Sequence, residues 1–159
     1  MKQAEFNFSY ETYNNTEELP TTDSKLVEKA IDAAKNAYAP YSEFNVGAAV
    51  LLEDDKIVMG NNQENAAYPS GLCAERVALF YANANYPDQR VKAIAIVALK
   101  DGEMVPSVVT PCGNCRQAML ETESRFEKPI RIIMGSQKGF WVVDKAQYLL
   151  PLSFTGDSL

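Results

Sequence analysis

The sequence predicts an α/β protein of three layers, in which one β-sheet is covered by helices on both faces. Segments with helical and strand patterns alternate along the chain in the order α-β-β-α-β-α-β-β-α. The clearest strand, VKAIAIVAL at 91–99, is apolar on both faces, as the central strand of a covered sheet requires. The 159 residues are enough to bury a substantial core as one domain.

Residues 1–22 are predicted to form a polar N-terminal extension ahead of a single domain at 23–159. Within this extension, aromatic residues at alternate positions allow an additional edge strand: Phe6, Phe8 and Tyr10. The first helix begins near Ser24, where Thr22 to Ser24 offer an N-cap, and it stops before Pro40. One face of this helix is apolar and carries Leu26, Ala30, Ala33 and Ala37.

The remaining elements follow at short intervals. VGAAVLLED predicts a buried strand, DD a tight turn and KIVMG the partner strand of a hairpin. A second helix begins near Cys73 and ends before NYPD, and Pro111 opens a third, since proline suits a first helical position. IRIIMG and FWVV complete a set of five strands, and DKAQYLLP predicts a short helix or turn.

The net charge of −6 argues against a nucleic-acid partner, because Lys and Arg must replace the counterions around phosphates. The fifteen Lys and Arg residues are scattered, without a basic cluster. The longest apolar run, AIAIVAL at 93–99, is too short to cross a bilayer, and MKQAEFNFSY lacks the apolar core of a secretory signal. We therefore expect a cytoplasmic protein without a membrane partner.

Three cysteines and no histidine limit the metal sites that the chain can build. Cys112 and Cys115 lie at the start of the third predicted helix, where residues three apart share a face, and Cys73 lies at the start of the second. A structural zinc site takes four protein ligands, whereas a catalytic one takes three and a water. Three thiolates favour a catalytic zinc. A closed site with a carboxylate as fourth ligand and a redox pair at C-x-x-C remain alternatives.

Glu75 is the candidate proton carrier beside these cysteines. It can face the same point as Cys73 only if Cys73 precedes the helix, since residues two apart lie on opposite sides of a regular helix. Three thiolates and Zn²⁺ sum to −1, and we expect Arg76, Arg116 and two helix N-termini to offset this charge. C-x-E followed by P-C-x-x-C also matches the zinc deaminase signature, with cysteine in the place of its histidine.

Four segments together carry a resemblance to a known family: YSEFNVGAAV, NNQENAAYPSGLCAER, TPCGNCRQ and LLPLSF. From about residue 24 to 156, the chain resembles the cytidine deaminases of the small, homotetrameric, three-cysteine type. The resemblance implies a five-stranded mixed sheet with flanking helices. It also implies one zinc ion per chain, held by Cys73, Cys112 and Cys115, with Glu75 as the proton shuttle.

The same resemblance implies the substrate contacts. Phe44 and Ala74 would contact a pyrimidine nucleoside, and Asn62 and Glu64 would hydrogen-bond the ribose hydroxyls. Residues two apart on an extended segment do point to one side, and these two offer donors and acceptors to a diol. Three further residues would contribute across subunit interfaces: Ala66, Tyr68 and Phe154.

The implied reaction is the hydrolytic deamination of cytidine and 2′-deoxycytidine to uridine and 2′-deoxyuridine with release of ammonia, as a step of pyrimidine salvage. Zinc-bound hydroxide would be the nucleophile, and Glu75 would move the protons. Shared sites imply a homotetramer. Two alternatives remain open: a zinc-dependent deaminase of another aminated ring, such as blasticidin S, and a binding module in which the zinc is structural.

Overall fold

The computed structural model describes residues 1–159. It contains three α-helices, α1 (Thr21–Ala34), α2 (Ala74–Asn85) and α3 (Gly113–Phe126). The strands are β1 (Glu11–Tyr13), β2 (Asn45–Leu52), β3 (Ile57–Asn61), β4 (Val91–Lys100), β5 (Glu103–Met104), β6 (Arg131–Ser136) and β7 (Gly139–Val143). Short 3-10 segments occur at Tyr68–Ser70, Ala146–Leu149 and Gly156–Ser158. None of the helices has the length and apolar character needed to span a membrane.

The strands form one mixed sheet in the order β1-β7-β6-β4-β2-β3, with β5 paired to the end of β4. Only β4 and β6 run parallel, and the other neighbouring pairs are antiparallel. The predicted α/β fold with a mixed sheet is confirmed. The predicted number of five strands is wrong, because β1 and β5 raise it to seven. Both are short strands that depend on pairing with a longer neighbour.

Helices cover both faces of the sheet, as the sequence predicts. α1 packs on one face against β2 and β4, and α2 and α3 lie over the other. The predicted central strand is confirmed: β4 lies between β2 and β6 and contributes to both apolar cores. Ile94 and Ile96 belong to the core under α2 and α3, whereas Ala95 and Val97 belong to the core under α1.

Two glycines let the helices approach the β2–β3 hairpin closely. A Cβ atom at Gly47 would lie 2.0 Å from the carbonyl oxygen of Ala30 in α1. A Cβ atom at Gly60 would lie 2.5 Å from the backbone nitrogen of Ala78 in α2. The backbones of the hairpin and of both helices are therefore in direct contact, which fixes the start of α2 beside the end of β3.

Helix boundaries follow the prediction for α2 and differ for α1 and α3. The predicted start near Cys73 is confirmed, since α2 begins at the next residue. α1 begins at Thr21 rather than near Ser24, and it ends at Ala34, well before Pro40. Ala37 therefore lies beyond the helix instead of on its apolar face.

Pro111 does not open α3, contrary to the prediction. The helix begins two residues later, at Gly113, and Cys112 occupies the position before it. Cys112 has extended backbone angles, φ −67° and ψ 168°, as a residue that caps a helix has. Because α3 begins at Gly113, Cys112 lies just before its first turn and Cys115 lies within that turn.

Part of the predicted N-terminal extension pairs with the sheet. β1 runs antiparallel to β7, and Gly139 permits this approach, since a Cβ atom there would lie 2.3 Å from the carbonyl oxygen of Tyr13. The edge strand therefore lies at residues 11–13 rather than 6–10. The three aromatic residues before it pack on Tyr148 and Trp141 instead: Phe6, Phe8 and Tyr10. The boundary between residues 22 and 23 stays a prediction.

Arg131, at the start of β6, connects three separate segments through its guanidinium group. It donates hydrogen bonds to Glu11 of β1 at 2.8 Å, to Asp23 of α1 at 2.9 Å and to Asp144 after β7 at 2.5 Å. The side chain of Asp23 is only 8% exposed. The single arginine therefore balances a buried carboxylate and attaches β1 to the body of the domain.

Candidate active site

The three cysteines come together where the N-termini of α2 and α3 meet. Cys73 and Cys112 each directly precede a helix in extended conformation, and Cys115 lies in the first turn of α3. The Sγ atoms of Cys73 and Cys112 are 3.9 Å apart, and those of Cys112 and Cys115 are 3.5 Å apart. All three lie within 4.8 Å of one another. Two helix N-termini thus bring their partial positive charge to three thiols.

This spacing fits a single zinc ion. Tetrahedral zinc with Zn–S bonds of about 2.3 Å places neighbouring sulfur atoms about 3.8 Å apart. The cluster contains cysteines alone, without a carboxylate oxygen as a fourth member. Cys73, Cys112 and Cys115 can therefore hold one zinc ion and leave its fourth position to a molecule that is not protein, which speaks against a closed structural site.

Arg76 contacts the cluster directly. Hydrogen bonds from the Cys115 thiol and from Arg76, whose Nη2 atom lies 3.7 Å from the Sγ atom of Cys73, lower the pKa of Cys73 to about 5. Thiolate is the form of cysteine that ligates a metal, and Cys73 is readily converted to it. The Nε atom of Arg76 is buried without a hydrogen-bond partner, so that no other acceptor in the protein competes with the cluster for the guanidinium at that atom.

Glu75 is buried in the first turn of α2, with 4% of its surface exposed. Burial raises the pKa of its carboxyl group, and the negative charge of Cys73 raises it further. Cys73 precedes the helix with φ −71° and ψ 151°, which is the condition for the two side chains to face one point. A raised pKa makes a carboxyl group a better proton acceptor and brings its titration nearer to neutral pH, as proton transfer in catalysis requires.

Arg116, the second arginine predicted to offset the charge, is turned away from the thiols. Its Nε atom donates to the carbonyl oxygen of Pro111 at 2.8 Å and its Nη1 atom to that of Leu149 at 3.0 Å. Its Nη2 atom donates to the hydroxyl of Thr110 at 3.3 Å. The side chain therefore connects the segment before α3 to the 3-10 segment Ala146–Leu149, and its hydrogen bonds do not reach the cluster.

A cleft of about 500 Å³ opens beside the cysteine cluster. Cys73 and Arg76 contribute to its lining on the metal side, and Asn62 and Glu64 contribute from the segment after β3. Its volume falls in the range of about 300–1,000 Å³ that is usual for small-molecule sites. The cleft thus connects the candidate metal centre to a pair of polar side chains.

Backbone hydrogen bonds hold this polar segment next to the cluster. Gln63 exchanges two hydrogen bonds of 2.9 Å with Leu72, the residue before the first cysteine ligand. On its other side, the N–H of Glu64 donates to the carbonyl oxygen of Tyr38 at 2.8 Å, and the N–H of Tyr38 donates to that of Asn62 at 3.0 Å. The position of the polar pair relative to the metal centre is therefore fixed by the main chain.

Asn62 supports the start of β2 with both ends of its amide. Its Oδ1 atom accepts the N–H of Val46 at 2.7 Å, and its Nδ2 atom donates to the carbonyl oxygen of Phe44 at 2.9 Å. One N–H of the amide remains for a ligand. Phe44 is half-buried and is not among the residues that line the cleft of its own chain.

Glu64 holds the turn before β2. Its Oε1 atom accepts the hydroxyl of Ser42 at 2.5 Å, and its Oε2 atom accepts the N–H groups of Tyr41 at 2.9 Å and of Ser42 at 3.3 Å. The Ser42 hydroxyl, followed by the Tyr41 N–H, lowers the pKa of Glu64. Ser42 is not among the residues predicted from the sequence, although a serine in a turn commonly bonds nearby polar groups.

The other predicted substrate residues are dispersed. Ala74 is fully buried at the start of α2, and Ala66 is exposed. Tyr68 is 79% exposed and lines the cleft. Phe154 is 61% exposed and lies outside the cleft, where its carbonyl oxygen accepts a hydrogen bond of 3.0 Å from Gln117. A single chain therefore does not gather all the residues that the sequence assigned to one site.

Several known proteins are similar to this chain. It is 38% identical over 134 residues to a cytidine deaminase of Halalkalibacterium halodurans, an alignment that covers 84% of this chain and 95% of that protein. It is 41% identical over 117 residues to a cytidine deaminase of Mycobacterium tuberculosis, covering 71% and 84%. The crystal structure of cytidine deaminase from Burkholderia pseudomallei matches with a TM-score of 0.69 and 40% identity, covering 82% of this chain and 97% of that one.

Residues 20–128 match the family described as "Cytidine and deoxycytidylate deaminase zinc-binding region". This range is more than half of the chain, and it contains the three cysteines of the cluster together with Glu75. The three alignments cover 84% to 97% of the length of these relatives, so that the likeness extends across the domain. The chain belongs to the zinc-binding cytidine and deoxycytidylate deaminase family.

Proposed function

We propose that this protein catalyses the hydrolytic deamination of cytidine and 2′-deoxycytidine to uridine and 2′-deoxyuridine, with release of ammonia, as a step of pyrimidine salvage. The observation that carries the proposal is the cleft of about 500 Å³, which a thiol of the metal cluster and the Asn62–Glu64 pair line together. A metal centre is suited to hydrolysis, and an amide beside a carboxylate is suited to sugar hydroxyls.

Each group near the cluster has a role in this reaction. Zinc, when bound, would lower the pKa of a water molecule and so make a hydroxide nucleophile available near neutral pH. Glu75 would take one proton from the attacking water and deliver it to N3 of the pyrimidine. It would then take the second proton from the hydroxyl added at C4 and deliver it to the amine, which leaves as ammonia while the C4 carbonyl forms. Its burial and raised pKa suit a group that must carry a proton in both directions.

Arg76 would limit the negative charge of the centre. Three thiolates make the ion a weaker Lewis acid than neutral ligands would, and a guanidinium 3.7 Å from the Sγ atom of Cys73 opposes this effect. Arg116 would act at a distance, by holding the segment that carries Cys112 through its bonds to Thr110 and Pro111.

Assembly into a homotetramer with shared sites is part of the same proposal. Tyr68 and Phe154 are 79% and 61% exposed, so that both side chains are accessible to a neighbouring subunit. Their exposure supports a role in contacts with neighbouring subunits, where Phe154 would provide an apolar wall for a pyrimidine ring. Specific activity that rises with protein concentration would be the sign of such sharing.

A substrate panel tests the proposed reaction. Zinc-loaded protein would be mixed with cytidine, 2′-deoxycytidine, cytidine 5′-monophosphate and blasticidin S, and the release of ammonia would be followed for each. We expect rapid release from the two nucleosides and little from the other two compounds. Release from blasticidin S alone would favour the deaminase of another aminated ring. Protein that binds one zinc per chain and leaves all four compounds unchanged would favour a structural metal.

A further inference from the structure

We propose that Ser42 is a positioning residue, which orients the carboxylate of Glu64 so that it can accept a hydroxyl of the substrate's sugar. The inference deepens the proposed function and rests on it, since it takes a nucleoside as the substrate. Ser42 lies in the cleft lining together with Glu64 and Asn62, and it does not itself need to contact the substrate.

The two oxygens of Glu64 are held in different ways. Both backbone donors, the N–H groups of Tyr41 and Ser42, point to Oε2. The Oε1 atom has a single protein partner, the hydroxyl of Ser42 at 2.5 Å. The Ser42 hydroxyl is therefore the one protein contact that holds Oε1, and together with the two bonds to Oε2 it fixes the plane of the carboxylate at both oxygens.

The hydroxyl of Ser42 has a fixed direction. Its oxygen accepts a hydrogen bond of 3.1 Å from the backbone N–H of Phe44, a group that can act only as a donor. A serine hydroxyl has one proton to donate, and Glu64 is the acceptor at 2.5 Å. The bond therefore runs from Ser42 to Glu64, and it is a charge-assisted hydrogen bond of the stronger class.

The backbone holds Ser42 in place for this contact. The next residue, Glu43, has a left-handed φ of 55°, and its N–H donates to the carbonyl oxygen of Ala39 at 3.0 Å. The hydrogen bond between Glu43 and Ala39 closes a tight turn that contains Ser42. A left-handed residue other than glycine costs free energy and persists where the surroundings require it.

Three donors from the protein leave Glu64 with little spare capacity. A carboxylate has about four acceptor positions, so that about one remains for a ligand. The lowered pKa of Glu64, for which the Ser42 hydroxyl is the largest cause, keeps the carboxylate ionised and able to accept. Glu64 is thus prepared to accept one hydroxyl in a set direction, beside the free N–H of Asn62.

The test is the kinetics of Ser42→Ala. We expect KM for cytidine to rise about tenfold, as for the loss of one charge-assisted hydrogen bond, while kcat stays within about twofold. Zinc content and Tm should stay unchanged, because the metal centre and the core are not touched. Ser42→Thr, which keeps the hydroxyl, should restore most of the affinity.

A substrate without the hydroxyls separates positioning from general damage. With 2′,3′-dideoxycytidine, kcat/KM should be nearly the same for Ser42→Ala and the unaltered protein, since Glu64 then has nothing to accept. Ser70→Ala is the matched control, because Ser70 is exposed near the cleft and its hydroxyl makes no hydrogen bond to the protein. It should behave as the unaltered protein with both substrates.

Two results would overturn the inference while leaving the proposed function intact. One is an unchanged KM for cytidine in Ser42→Ala. The other is an equal loss with cytidine and 2′,3′-dideoxycytidine, which would mean that Ser42 only supports the fold.

Failure of the proposed function would be visible separately, as an unaltered protein that turns over neither nucleoside. The positioning contact can then still be judged from the carboxyl ¹³C resonance of Glu64, titrated without substrate. We expect its pKa to lie below the ordinary value and to rise toward it in Ser42→Ala. Equal pKa values in the two proteins would overturn the inference whatever the activity.

Discussion

The Nη2 atom of Arg76 lies 3.7 Å from the Sγ atom of Cys73, the first of the three clustered thiols. The two residues are three apart at the start of α2, where side chains of that spacing share a face. Arg116 has the same place relative to Cys115 as Arg76 has to Glu75, directly after it in the chain, yet its guanidinium bonds elsewhere. The positive charge at the cluster therefore comes from Arg76 and the two helix N-termini.

We expect Arg76→Gln to release zinc at a higher pH than the unaltered protein does. Removing the guanidinium raises the pKa of Cys73 above its value of about 5, and protons compete with zinc for the thiolate. On acidification, protons then displace zinc from the Cys73 thiolate at a higher pH, and the midpoint of zinc release rises by about one pH unit. A zinc-sensitive dye during acid titration measures it. Arg90→Gln, in an ion pair at the surface, is the control. Equal midpoints would contradict the assignment.

Loss of Arg131 should destabilise the protein much more than loss of an arginine whose carboxylate partner is exposed. Arg131→Met leaves the carboxylate of Asp23, 8% exposed, without its partner, and breaking such a pair costs about 3 kcal/mol. Arg90→Met removes an ion pair with Glu53, which is 52% exposed, and should cost less than about 1 kcal/mol. Urea unfolding of both variants gives the comparison. Similar losses would show that the buried carboxylate is not the source of the effect.

Gly47→Ala should strongly destabilise the fold. The added Cβ atom would lie 2.0 Å from the carbonyl oxygen of Ala30 and 2.4 Å from the nitrogen of Ala34, and neither backbone atom can move without shifting α1. We expect a loss of about 3 kcal/mol or more. Gly113→Ala is the matched control, because a Cβ atom there meets nothing within 4 Å. Thermal unfolding would distinguish them, and comparable Tm values for the two variants would refute the close contact.

The relation between Cys73 and Glu75 could be predicted from the sequence, because it depends on local geometry. A cysteine and a glutamate two apart can face one point only across a helix start, and α2 does begin between them. The fold class and the central position of β4 also follow from local patterns of apolar residues. These features need no knowledge of distant contacts.

Features that depend on distant partners could not be predicted in the same way. The direction of Arg116 is decided by the carbonyl of Leu149, 33 residues away, and adjacency to Cys115 gives no information about it. β1 forms because Gly139 leaves room for the backbone of Tyr13. The contact between Ser42 and Glu64 joins residues 22 apart, so that neither segment alone indicates it.

The most direct test of the proton-carrying role of Glu75 is the ultraviolet absorbance of cytidine mixed with zinc-loaded Glu75→Gln. Glutamine keeps the size of the side chain but cannot carry a proton, and positioned acid–base groups contribute about 10²–10⁴-fold to a rate. We predict a steady absorbance loss with the unaltered protein. With the variant, we predict a rate at least about 10²-fold lower at one zinc per chain. A zinc-loaded variant that deaminates cytidine at a near-normal rate would contradict the account.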